Sequence, residues 1–78
     1  MHYDQYRPIN FGDAWDLFIE CLHIDYNMGI DPALGYVFYA GMWEKFIRNL
    51  HDSGTVLYHS QYLIFRNQGL EKIKDMTI

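Results

Sequence analysis

Cysteine, serine and basic side chains are scarce in this chain, and each scarcity closes off a class of function. A single cysteine, Cys21, leaves no internal disulfide to brace a small fold. Set among apolar neighbours, it reads as a small buried hydrophobe, because a reactive thiol needs a nearby cation and access. Ser53 and Ser60 are the only serines, which limits nucleophilic chemistry to very few geometries. Six Lys and Arg stand against ten Asp and Glu, a formal charge of −4. Direct nucleic-acid binding needs the opposite balance, so none is expected. Gly12, Gly29, Gly54 and Gly69 are isolated and build no phosphate-cradling loop. The run of residues 33–43, free of charged or strongly polar side chains, falls well short of the roughly 20 residues of a membrane span. With no basic stretch leading into an apolar one at Met1-His2-Tyr3-Asp4, the expected location is cytoplasmic, with no membrane partner.

What the chain has in abundance is aromatic surface: seven Tyr, five Phe and two Trp in 78 residues. A domain this short has a thin stability margin and ordinarily gains help from disulfides, a metal or oligomerisation. Aromatic side chains that bury roughly 150–250 Å² each offer another route. Half the residues are apolar, so a folded single domain over residues 1–78 is expected, with residues 1–10 as an N-terminal arm.

The charge is unevenly spread. Residues 1–31 hold six acids against Arg7 alone, and residues 32–78 hold four acids against five bases. An asymmetry of this kind bears on association rather than on fold.

Asn10 followed by Asp13 is a helix-start signal, and Gly29 is a stop, which places a first helix at about residues 11–27. At ~100° per residue, Asp13, Asp16, Glu20, His23 and Asn27 form one polar ridge, and apolar residues fill roughly 220° of the remainder. Asp25 falls inside that arc, where burial would be costly, and fraying of the helix end is expected. Asp31-Pro32 marks the start of a second helix, at about residues 32–50, with an apolar arc of roughly 200°. Gly35 and Gly41 inside it each cost about 1 kcal/mol relative to Ala; close approach of another backbone is the expected reason. Residues 55–67 read as a third helix stopped by Asn67-Gln68-Gly69, with a short helical tail carrying Leu70 and Ile73. The alternative is an α+β fold with residues 55–66 as a strand. The expected class is mainly α, a small three-helix bundle. Arcs this wide exceed what three helices bury in a monomer, so a homodimer is expected, with Gly35, Tyr39, Gly41, Trp43 and Phe46 in its interface or in the core.

Three constellations invite chemistry. Glu20-x-x-His23 has the spacing of a carboxylate-bridged di-metal bundle, but one copy is too few, and only a dimer would supply the second. Residues 25–31 space oxygen ligands as a calcium loop does, yet Ile30 stands where that loop needs Gly and Tyr36 where it needs a bidentate Glu. His51-Asp52-Ser53 assembles triad residue types, but sequence neighbours at a helix exit point in different directions. No metal, cofactor or catalytic residue is assigned.

These exclusions leave a non-enzymatic protein-binding module. Asp13, Asp16, Glu20 and His23 are its candidate contact residues, and a protein with a basic surface its expected partner. In size and charge the chain resembles the small acidic inhibitors of phages and other mobile elements. That resemblance implies blockage of a basic or nucleic-acid-binding surface of a host protein. The alternative is a structural subunit or assembly factor of a larger complex, and a more distant one is a metal enzyme with a dimer-built Glu20/His23 site.

Overall fold

The computed structural model describes residues 10–52 and 59–77. It is a three-helix bundle: α1 over Phe11–Tyr26, a single 3-10 turn over Pro32–Leu34, α2 over Tyr36–Asp52 and α3 over His59–Met76. No strand occurs among the described residues, so the mainly α class holds. The α+β alternative fails over residues 59–66, which are helical. The arm, residues 1–9, and the start of the expected third helix, residues 55–58, lie outside the described residues.

The ends of the helices differ from expectation at four places, each for a local reason. Asn10 does cap α1, its side-chain Oδ1 accepting from the Asp13 N–H at 2.7 Å. The stop, however, is Asn27 rather than Gly29. Asn27 takes the left-handed conformation, φ 53°, which asparagine tolerates better than most residues. The helix does not fray at Asp25, which projects into solvent and carries no burial cost. Asp31-Pro32 opens only one 3-10 turn, with Asp31 Oδ1 accepting from the Ala33 N–H at 3.0 Å. Gly35 then adopts φ 89°, a value that favours glycine and breaks the run before α2 begins at Tyr36. Its presence is therefore conformational, and no neighbouring atom approaches within 4 Å of the position a Cβ would take.

The fourth difference is the most consequential. Gly69 was expected to end the third helix, yet α3 continues through it to Met76. A Cβ at Gly69 would collide with the Trp43 ring at Cε2, Nε1 and Cζ2. The glycine is thus a seat in the middle of a helix, where the indole of α2 lies against bare α3 backbone. The indole Nε1–H donates to the Arg66 carbonyl at 3.1 Å, so the ring buries its polar atom without penalty. Beside it, Arg66 Nη2 donates to Glu44 Oε2 at 2.6 Å across the same two helices. Both of those side chains are part-exposed, so this pair contributes at most about 1 kcal/mol and mainly fixes register.

Trp43 is also the hub onto which α1 docks. Phe11, Trp15, Phe18 and Phe46 place their ring centroids 5.9, 5.4, 5.2 and 5.8 Å from it. Aromatic pairs at such separations add about 0.5–1.5 kcal/mol each beyond area burial. Lys72 of α3 sits 5.3 Å over the Trp15 ring. Ala14, Leu22, Tyr39, Ile47, Phe65 and Ile73 complete the buried core. Tyr39 ties down the link between α1 and α2. Its hydroxyl accepts from the Asp31 N–H at 2.7 Å and donates to the Gly29 carbonyl at 3.1 Å. Sequence reasoning left Tyr39, Trp43 and Phe46 between core and interface. Tyr39 and Trp43 are wholly buried, and Phe46 is half-buried against the core.

Gly69 and Gly41, each inside a helix, make opposite predictions. Gly69→Ala should destabilise by about 1–3 kcal/mol or more through overpacking against Trp43. Gly41→Ala, at an exposed site with no atom within 4 Å of its Cβ position, should stabilise the folded monomer by about 0.5–1 kcal/mol. Urea denaturation of dilute protein measures both. Trp43→Ala should cost about 3–5 kcal/mol, a large part of the 5–15 kcal/mol typical of a domain.

Candidate protein-contact face

The chemistry of α1 divides around its circumference. Its buried residues, Ala14, Trp15, Phe18 and Leu22, occupy only roughly 100° of the helix at ~100° per residue, the ordinary width of a core-facing stripe. The wide apolar arc read from sequence is therefore not all core. Leu17 and Ile24 are 41% and 71% exposed and fall on the solvent side.

Asp13, Asp16, Glu20 and His23 are all exposed on that same outer face. None of the three carboxylates has an ion-pair partner among the described residues. Asp13, Leu17, Glu20 and Ile24 follow one another at steps of four, three and four, which aligns them in a single narrow stripe. The face is acidic and apolar in alternation, not purely acidic. Leu17 and Ile24 were the functional candidates that sequence reasoning missed. The signal was present, since they stand one turn from Asp13 and Glu20 respectively, but an apolar side chain on a predicted helix reads by default as core.

Three like charges one turn apart repel by a few tenths of a kcal/mol per pair. Only Asp13, in the first turn, gains from the helix dipole. The stripe thus adds little or nothing to the fold. Its potential is free to act on what lies outside, over about one Debye length, 8–10 Å at moderate salt.

Beside this face, α1 and α2 enclose an open groove of about 310 Å³. Phe18 and Leu22 of α1 and Met42 and Phe46 of α2 supply its apolar lining, with Asp25 and Lys45 among the polar residues around it. Cys21 also borders it and is partly buried. Burial pushes the Cys21 thiol above its ordinary range, and the Asp25 and Glu20 carboxylates push it in the same direction. A thiol so placed is a poor nucleophile.

The chemical constellations come apart in space. Among the described residues, no three of His, Cys, Asp and Glu gather where they could hold a metal ion. Glu20 and His23 stand side by side in solvent on α1. His51 Nδ1 lies 3.5 Å from Asp52 Oδ1, while Ser53 is outside the described residues. His51 instead joins an aromatic cluster that closes the α2–α3 hairpin, 5.2 Å from Tyr62 and 6.2 Å from His59 by ring centroids. Asp31, the last member of the calcium-like spacing, caps the 3-10 turn. No helix among the described residues is long and apolar enough to cross a membrane. Gly41 lies in the open on α2, and the close neighbour expected for it is not found among the described residues.

The raised thiol gives a direct check on the groove. Cys21 should react with a maleimide or aromatic disulfide reagent more slowly than free glutathione at the same mildly alkaline pH. Asp25→Asn with Glu20→Gln should accelerate the reaction without unfolding the chain, because only burial then opposes the thiolate. Stopped-flow alkylation reads both rates.

No protein-family model, characterised protein or solved structure matches this chain.

Proposed function

We propose that this chain is a non-enzymatic protein-binding module that acts by occupying a basic surface of its partner, with the outer face of α1 as the contact. The observation that carries the reading is the stripe of Asp13, Leu17, Glu20 and Ile24, flanked by Asp16. It places unpaired carboxylates beside exposed aliphatic side chains on a face the core does not use. Charge alone would give encounter without residence. Aliphatic anchors among the charges supply what holds the complex after the field has brought it together.

The small size and net charge of −4 favour an inhibitor of phage or mobile-element type, which covers a basic or nucleic-acid-binding surface of a host protein. A second reading, a subunit of a larger assembly, is favoured by exposed apolar residues away from α1. Leu63 and Ile64 on α3 and Val37 and Phe38 on α2 stand open to solvent, and a subunit enclosed on several sides would cover them. Self-association, expected from the apolar surplus, would cover part of the same surface.

The test is capture from a native host lysate on immobilised parent chain and on Asp16→Lys with Glu20→Lys, read by quantitative mass spectrometry. The reading expects a basic protein retained by the parent, released as salt rises, and retained at least about tenfold less by the charge-reversed variant. Equal retention by both chains at low salt would contradict it. Stoichiometric recovery of one multi-subunit machine by both chains would support the subunit reading.

A further inference from the structure

We propose that a second copy of this chain docks on the α1 face through the outer face of α2, the two helices antiparallel. Asp13 then meets Arg48, Asp16 meets Lys45, Glu20 lies beside Gly41 and Ile24 meets Val37. The inference rests on the reading of the α1 face as a contact surface, and it names an occupant for that face.

The outer face of α2 is the chemical inverse of that of α1. Val37, Gly41, Lys45 and Arg48 are all exposed, Val37 at 82%. Lys45 and Arg48 have no ion-pair partner among the described residues. The two stripes are equally long. Ile24 stands eleven positions after Asp13, and Arg48 eleven after Val37, about 16 Å in each case at a rise of ~1.5 Å per residue. Their order is reversed. Along α1 the acids come first and Ile24 last, whereas along α2 Val37 comes first and the bases last. Laid antiparallel, the stripes bring opposite charges together at one end and two aliphatic side chains together at the other. Laid parallel, they would set Asp13 on Val37 and Ile24 on Arg48.

Gly41 supplies an independent observation. It sits exposed in the middle of α2, where glycine is disfavoured, and among the described residues no atom lies within 4 Å of the place a Cβ would take. In the antiparallel pairing, Glu20 lies against this gap and Leu17 one turn away from it, so the glycine admits a closely packed neighbouring helix. Glu44, which borders the α2 stripe, is bound by Arg66, so its charge is already compensated where the acids approach. Contact between copies covers the same carboxylates that a basic partner would meet. Partner and second copy therefore compete by mass action.

Sedimentation velocity on the full chain, from micromolar to near-millimolar concentration at low salt, tests the pairing. The parent should self-associate, less so as salt is added. Asp16→Lys with Glu20→Lys, and separately Lys45→Glu, should each sediment as monomers with unchanged helical dichroism. Mixing the two variants in equal amounts should restore association, since the reversed charges at positions 16 and 45 then meet as opposites while Asp13 still meets Arg48. Gly41→Ala should weaken association while leaving the monomer folded. A parent that is monomeric throughout, a variant that associates like the parent, or a mixture that stays monomeric would each overturn the proposal. A labelled helical peptide of Lys and Leu, titrated into Lys45→Gln with Arg48→Gln, separates this inference from the reading beneath it. A monomeric variant that binds the peptide more tightly than the associating parent supports both. If the variant is monomeric but does not bind, the reading of a separate basic partner on that face fails and the pairing stands. If it binds yet still associates like the parent, the pairing fails and the contact-face reading stands.

Discussion

The fold depends on one contact, the Trp43 indole laid against Gly69. A tryptophan can approach helix backbone that closely only where the facing residue has no Cβ, and the ring can be buried there only because Nε1 finds the Arg66 carbonyl. This single seat sets the distance between α2 and α3 and their register, with the Arg66–Glu44 pair as a second tie along the same helices. The same indole also receives α1, whose Phe11, Trp15 and Phe18 assemble around it. A chain with no internal disulfide thereby obtains a core from interlocking rings.

Concentration of the packing around one hub has a consequence at the surface. α1 is held along a narrow inner stripe, and its other residues are not needed to hold it. The acids at 13, 16 and 20, with Leu17 and Ile24 between and beyond them, are left outside a fold that is complete without them. The same holds for the outer side of α2, where Val37, Gly41, Lys45 and Arg48 take no part in the core. Two faces of opposite sign and similar aliphatic content thus stand on neighbouring helices. Because they stand apart from the core, their charges contribute little to stability, and in the proposed pairing they act on association instead.

Much of the architecture was legible in the sequence because it rests on local chemistry. Asn10 and Asp31 cap as their side chains dictate, the ridge from Asp13 to His23 is exposed as its periodicity requires, and Trp43 and Tyr39 are buried. What could not be read depends on pairs distant in the chain. Gly69 looks like a helix stop beside Asn67 and Gln68, and only the arrival of Trp43 from another helix turns it into a seat. Gly35 and Gly41 look alike in sequence, yet one serves a left-handed turn and the other stands open on a helix face. Gly29 was the obvious stop for α1, but Asn27 accepted the left-handed conformation first. The proposed contact face was half legible. Its acids announce themselves, whereas Leu17 and Ile24 differ from core residues only in the direction they point, which follows from where α1 meets Trp43.

The central claim is that the inner face of α1 holds the fold and the outer face is free for association. Thermal and urea unfolding of Asp16→Asn with Glu20→Gln in dilute solution measures this most directly. These two substitutions remove charge without changing side-chain size, and they leave Asp13 at the helix N-terminus untouched. The account predicts a stability equal to that of the parent, or higher by a few tenths of a kcal/mol as like-charge repulsion is relieved. A loss of more than about 1 kcal/mol would contradict it, because the acidic stripe would then be part of what holds the chain together.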